Sequence, residues 1–193
     1  MAASERGVRI SRLREFHSYV GYGYIDDKRR LIVAEAAKLF ADKGVHATSL
    51  EEIAKRFGMT RSALYNYFSS KDRILEEILI VAHENACAAL AQLAERRVDG
   101  ANRLRALAIR YVNDTLSDFG RFLTIVEHST LNTRCRRLMS KSHRVMLNGM
   151  ISVIEAGIAD GTLRPCRPKI AAFSIFGALN RSEEHTSELQ SPI

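Results

Sequence analysis

From about residue 27 onward the hydrophobic positions recur with a helical period, and no stretch alternates as a half-buried strand would. Ile32, Val33, Ala36, Ala37 and Phe40 form one stripe, so a first helix is expected from Asp27 until Gly44 stops it. Ser49, followed three residues later by Glu52, is a capping box. Behind it Leu50, Ile53, Ala54 and Phe57 make the buried stripe of a two-turn helix ended by Gly58. Thr60 is the next N-cap, with Ala63, Leu64 and Phe68 facing inward. Ser70 caps a fourth helix running from Lys71 to about Arg97, with Asp72 complementing its dipole. Further helices are expected over 101–118, around 120–127, and over 133–160, the last ending at Asp160-Gly161. Pro165 and Pro168 bracket a loop, and Ile170–Leu179 opens a helix so apolar that it needs a partner surface. The pattern predicts an all-α fold.

Residues 1–25 differ. Phe16 to Tyr24 has no clean period and contains two glycines, as a mobile N-terminal arm would. Three units follow: residues 26–78 as a compact three-helix unit opening a fourth helix, 79–180 as a helical body, and 181–193. In the last of these the apolar pattern ends and the helix is expected to stop. The eleven residues Arg181–Ser191 read as the in-frame translation of a short-read sequencing adapter. Residues 181–193 are therefore expected to be an artefactual tail and the helical body to be incomplete.

Leu50–Ser69 fits a helix-turn-helix. Two short helices crossing steeply need a small residue at the crossing (Ala54), a turn residue tolerant of positive φ (Gly58), and apolar residues that brace the second helix, Leu64 among them. This leaves Thr60, Arg61, Ser62, Tyr65, Asn66 and Tyr67 on the part of the second helix that can enter a major groove. Hydroxyls on Thr60, Tyr65 and Tyr67 suit phosphate oxygens, Arg61 suits a phosphate or a guanine edge, and Asn66 suits a base edge. Lys71, with the free N–H groups of its helix, is expected to grip a phosphate, as are Thr48 and Ser49 at the start of the second helix.

Charge agrees with a polyanionic partner but is unevenly spread. The 193 residues carry 29 Lys and Arg against 22 Asp and Glu, a net charge of +7. Residues 121–180 hold nine basic and three acidic groups, densest from Arg134 to Arg144. A charge run of this kind reads either as a solvated helix face or as a site for phosphate or an acidic ligand. No nucleophile elbow, P-loop, Gly-rich dinucleotide turn or His-Glu-x-x-His is present, which argues against an enzyme. The three cysteines have no C-x-x-C spacing, so neither a disulfide scaffold nor a thiolate metal site is expected, and a reducing cytoplasm fits. No secretory signal is visible, no apolar run approaches a membrane span, and no cofactor is expected.

Residues 27–78 resemble the N-terminal domain of the TetR/AcrR family of bacterial transcriptional regulators. The resemblance rests on Ala36-Ala-Lys-Leu-Phe40, Gly44, Thr48, Glu52-Ile-Ala54, Gly58, Ser62-Ala-Leu-Tyr-Asn-Tyr-Phe68, Ser70-Lys-Asp72 and Leu75. It implies a DNA-binding head, a helical body with a small-molecule pocket, and a homodimer joined through the body's last two helices. It also implies repression relieved by an effector that changes the spacing of the two heads on near-palindromic double-stranded DNA. Thr60, Arg61, Tyr65, Asn66, Tyr67 and Lys71 fall on the family's DNA-contact positions, and Ser62 stands where Gly is common. Candidate effector contacts on the body helices are His83, Arg110, Tyr111, Asn113, Phe119, Phe122 and His128. Arginine and histidine together suit an anionic effector such as an acyl thioester or carboxylate. The rival reading is a helix-turn-helix protein without small-molecule sensing, controlled by a protein partner or acting architecturally.

Overall fold

A computed structural model describes residues 27–189, with side chains described through Leu179 apart from Asp27, Asp118 and Phe119. The expected arm at 1–25 and the side chains of the expected artefactual tail lie outside the described residues. The chain is all-α: α1 (Asp27–Lys43), α2 (Leu50–Arg56), α3 (Arg61–Tyr65), α4 (Lys71–Glu95), α5 (Gly100–Leu116), α6 (Asp118–Ile125), α7 (Thr133–Ala159) and α8 (Pro168–Leu189). A single 3₁₀ turn, His128–Thr130, precedes α7 and was not expected from the periodicity.

Polar side chains set the starts of most helices. Ser49, Thr60, Ser70, Asp99, Ser117 and Asn132 each accept a backbone N–H two or three residues inside the helix they open. Pro168 takes the first position of α8, where a missing N–H costs nothing. The backbone of α8 remains helical to Leu189, past the expected stop near residue 180. Nothing between Leu179 and Leu189 is a glycine or proline, so no helix breaker acts there.

Two cores form. The first joins α1–α3 and the start of α4 through Ile32, Phe40, Ile53, Leu64, Phe68 and Ile74. It does not end at the head: Phe122 of α6, Leu131, and Cys135 and Met139 of α7 belong to it. Phe122 is 1% exposed, with its ring centre 5.7 Å from that of Phe40. Losing either ring would cost roughly 3–5 kcal/mol. The second core, Leu93, Leu107, Met150, Val153, Ile154 and Ala172, holds the body together.

At the end away from the head, α5 and α7 touch through glycine. A Cβ on Gly100 would lie 2.1 Å from the Gly157 Cα, so the two backbones are in contact. Asp160 accepts the Gly100 N–H at 2.7 Å, and the Thr162 hydroxyl accepts that of Ala101 at 3.0 Å. At the other end α7 runs parallel to α4. Arg134 pairs with Glu76 at 3.5 Å, and Gly149 lies against Leu90.

Candidate functional site

The surface that faces outward from the head is built by short-range bonds. Ser49 Oγ accepts the Glu52 N–H at 3.1 Å. Lys43 bonds the Glu52 carboxyl and, with the Ser49 N–H completing the box, holds it below the usual carboxylate range. Gly58 turns the chain at φ 59°, a conformation that costs other residues. Thr60 Oγ1 then accepts the Ala63 N–H at 3.2 Å and starts α3. Ala54 and Leu64, each 1% exposed, brace α3 from behind.

Thr60, Arg61, Ser62, Tyr65 and Asn66 are exposed on the far side, and Ser49 is exposed at the start of α2. Arg61 Nη2 donates to the Tyr65 hydroxyl at 3.0 Å, and Arg61 pairs with Glu51. The tyrosine first, then the carboxylate, raise the guanidinium pKa further. These bonds hold Arg61 along α3, while a solvated pair with Glu51 is weak enough for a phosphate to displace.

Four expectations change. Helix α3 ends at Tyr65, so Asn66 and Tyr67 lie in the turn after it. The Tyr67 ring is half-buried against the head core, and its carbonyl accepts Arg29 Nη1 at 2.7 Å. Thr48 is 1% exposed, and its hydroxyl donates to the carbonyls of Gly44 at 2.9 Å and Leu39 at 3.3 Å. Its hydroxyl is turned inward, into the α1–α2 loop. Lys71 Nζ donates to the carbonyls of Val45 at 2.6 Å, Thr48 at 2.9 Å and His46 at 3.3 Å. All three ammonium protons are directed at carbonyls, so in the DNA-free chain Lys71 ties down the α1–α2 loop. Arg29 was not foreseen. It joins α1 to the recognition turn and to Glu77 of α4 at 3.2 Å, and its guanidinium carbon sits 4.3 Å from the Phe68 ring centre. Its only sequence signal is the Lys28-Arg29-Arg30 run.

In the body, α4–α8 surround a cavity of about 320 Å³. Met139, Met146, Phe173 and Phe176 give it apolar walls, and Asn85, Tyr111, Asp114, Thr115, Ser142 and His143 bring polar groups to it. The Tyr111 ring meets that of Phe176 edge-on at 5.0 Å. Burial raises the Asp114 carboxyl against the opposing pull of Arg110, whose Nε lies 2.8 Å from both its oxygens. Burial, then His128, lowers His143.

Of the expected effector contacts, Tyr111 lines this cavity. Arg110 is not among the described lining residues but pairs with Asp114, which is. Phe122 is in the head core, Asn113 and His128 are exposed and not among the described lining residues, and His83 is half-buried beside Cys87 with its Nδ1 unpartnered among the described residues. The Phe119 side chain lies outside the described ones. No arginine or lysine is among the described lining residues, so the wall itself offers no cation for an anionic effector. His143 was missed, although Met139, His143, Met146 and Leu147 share a helical spacing. Among the described residues no helix is long and apolar enough to cross a membrane.

Comparison with known proteins agrees with this arrangement. The family described as "Bacterial regulatory proteins, tetR family" matches residues 32–78. The "Tetracyclin repressor-like, C-terminal domain" matches residues 97–184, extending past Arg181. The chain is 25% identical over 166 residues to the HTH-type transcriptional regulator YhgD of Bacillus subtilis, covering 76% of this chain and 78% of that one. It is 27% identical over 140 residues to the HTH-type transcriptional repressor KstR2 of Rhodococcus jostii, covering 71% and 68%. The structure of AibR in complex with isovaleryl coenzyme A and operator DNA superposes with a TM-score of 0.69 at 24% identity, covering 80% of this chain and 84% of that one.

Proposed function

Because the chain belongs to the TetR family of bacterial transcriptional regulators, which bind DNA through a helix-turn-helix, we propose that it is a repressor. It binds a near-palindromic operator as a homodimer and leaves it when a small molecule enters the α4–α8 cavity. The observation carrying this reading is the outward face of α3: Thr60, Arg61, Ser62 and Tyr65 exposed, with Leu64 and Ala54 buried behind them. One head spans too few base pairs for useful affinity. Two heads about 34–36 Å apart address successive turns of one groove. Ile170 and Phe173 of α8, 56% and 55% exposed, supply apolar surface for a second copy.

The cavity supports the effector half. Helix α4 starts at Lys71 beside the recognition turn and contributes Leu79, Asn85 and Ala89 to the cavity wall. A ligand pressing on that wall bears on the helix that carries the head. It releases DNA to the extent that it binds the mis-spaced state more tightly. KstR2, named a repressor, supports the sign of the regulation.

Selection of bound duplexes from a random pool, followed by fluorescence anisotropy, tests the interface. Arg61→Ala and Tyr65→Ala should each weaken the selected site, by about 1–3 kcal/mol for the arginine, with folding intact. Unchanged specific binding in both variants would remove the assignment.

A further inference from the structure

The wall of the cavity restricts what it can hold. Thr115 donates its hydroxyl proton to the Val112 carbonyl at 2.9 Å, Ser117 to that of Asp114 at 2.6 Å, Thr124 to that of Arg121 at 2.9 Å and Ser142 to that of Leu138 at 3.1 Å. A hydroxyl has one proton, so these four lining groups are directed at the main chain rather than at the cavity. Asn85 and His143 differ. Both line the cavity, and neither makes a hydrogen bond among the described residues.

Helix register puts the polar groups at one level. Along the parallel pair α4 and α7, Arg134 stands beside Glu76 and Gly149 against Leu90, which sets His143 level with Asn85. Along the antiparallel pair α5 and α7, Gly100 meets Gly157, and equal steps from that contact reach Asp114 on α5 and His143 on α7. Asn85, Asp114 and His143 thus form a polar belt, with Leu79 and Met139 on its head side and Ala89, Met146 and Phe176 beyond it. Charge in the belt is balanced. Asp114 is the one carboxylate among the described lining residues, and Arg110 Nε lies 2.8 Å from both its oxygens. With no arginine or lysine among those residues, an anion would meet the carboxylate unopposed. A cation would have to share a carboxylate that is already matched. Burial, then His128, holds the His143 ring toward its neutral form, which has one donor and one acceptor, and the Asn85 amide also has both.

Resting on the reading that the cavity is the effector site, we infer that its ligand is uncharged: an apolar molecule with one oxygen-bearing group, such as an amide, alcohol or ester, that bonds Asn85 and His143. Its hydrocarbon part packs beyond the belt against Met146 and Phe176. A volume of about 320 Å³ lies at the small end for ligand pockets. Thr124, His143 and Phe173 are the exposed lining residues, so the ligand enters where α6, α7 and α8 meet solvent.

Ligand-observed NMR titration of the full, DNA-free chain tests this with four probes on one eight-carbon chain: octanamide, 1-octanol, octanoate and octylammonium. Octanamide and 1-octanol should bind about tenfold or more tightly than either ion. Three variants accompany the parent. Asn85→Leu, of similar size, should weaken octanamide about three- to tenfold. Asp114→Asn takes the carboxylate out of the belt and should narrow the gap between octanamide and octanoate by about threefold or more. Ala86→Leu fills the cavity and should weaken all binding. Octanoate or octylammonium binding the parent as tightly as octanamide overturns the uncharged class yet leaves the effector reading standing. Octanamide indifferent to Asn85→Leu, or a gap unchanged in Asp114→Asn, also overturns the inference, since the preference would then owe nothing to the belt. So does the absence of binding by all four probes. Octanamide that binds Ala86→Leu as well as the parent sits elsewhere, and overturns both the inference and the effector reading of the cavity.

Discussion

Replacing Lys71 by methionine separates two roles for one side chain. The structure gives its ammonium to three carbonyls of the α1–α2 loop, at 2.6, 2.9 and 3.3 Å. Hydrogen bonds to a charged group contribute about 1.5–3 kcal/mol. Removing a positive charge from the first turn of α4 returns about 0.5 kcal/mol, because the dipole disfavours a cation there. Methionine keeps the alkyl stem and the helix propensity. The net expected loss is about 1–2 kcal/mol, or a fall in Tm of roughly 2–8 °C for a chain of this size. Thermal unfolding of the DNA-free protein followed by circular dichroism reads it directly, and DNA affinity across a salt series is the companion assay. A Tm unchanged within a degree, together with a salt slope shallower by about one, would refute the reasoning. That pair of results is what a phosphate contact gives.

Two further outcomes are expected. Glu76, 7% exposed, is held between Arg73 and Arg134. Glu76→Gln should cost about 1–2 kcal/mol in urea unfolding, less than a fully buried pair because both arginines keep much of their hydration. A neutral result would mean that the α4–α7 pair adds nothing. Asp160 accepts bonds from Thr162 and from the Gly100 N–H, which hold its pKa below the ordinary value. Its contribution is full above the unfolded pKa of about 3.9 and fades as pH falls through the lower folded value. Asp160→Asn should therefore lower stability at pH 6 and narrow its gap to the parent as pH falls below 4, and a gap constant with pH would refute this.

What the sequence disclosed followed the range of the interactions. The N-caps at Ser49, Thr60 and Ser70 act within three residues, and Gly58 and Leu64 follow from local pattern, so the head was legible in outline. Thr48 and Lys71 were found as positions, but their partners within the chain were not foreseen. Their carbonyl acceptors are set by the loop that folds back over them, and no local spacing encodes that loop. Phe122 was read as a pocket aromatic for the same reason: its partner, Phe40, lies far away in sequence and on the head. The cavity is a product of five helices. Of its polar groups only Tyr111 was anticipated, and Arg110, chosen as an anion receptor, spends its charge on a neighbour four residues on.

The glycine contact between α5 and α7 governs how the body can deform. With Gly100 and Gly157 pressed backbone to backbone and clipped by Asp160, the two helices are riveted where they meet. Like scissor blades, they can open only from the opposite tips. There α7 begins beside Glu76 and feeds Cys135 and Met139 into the head's core. A small wedge in mid-body is thereby geared into its greatest travel at the end that grips the recognition unit.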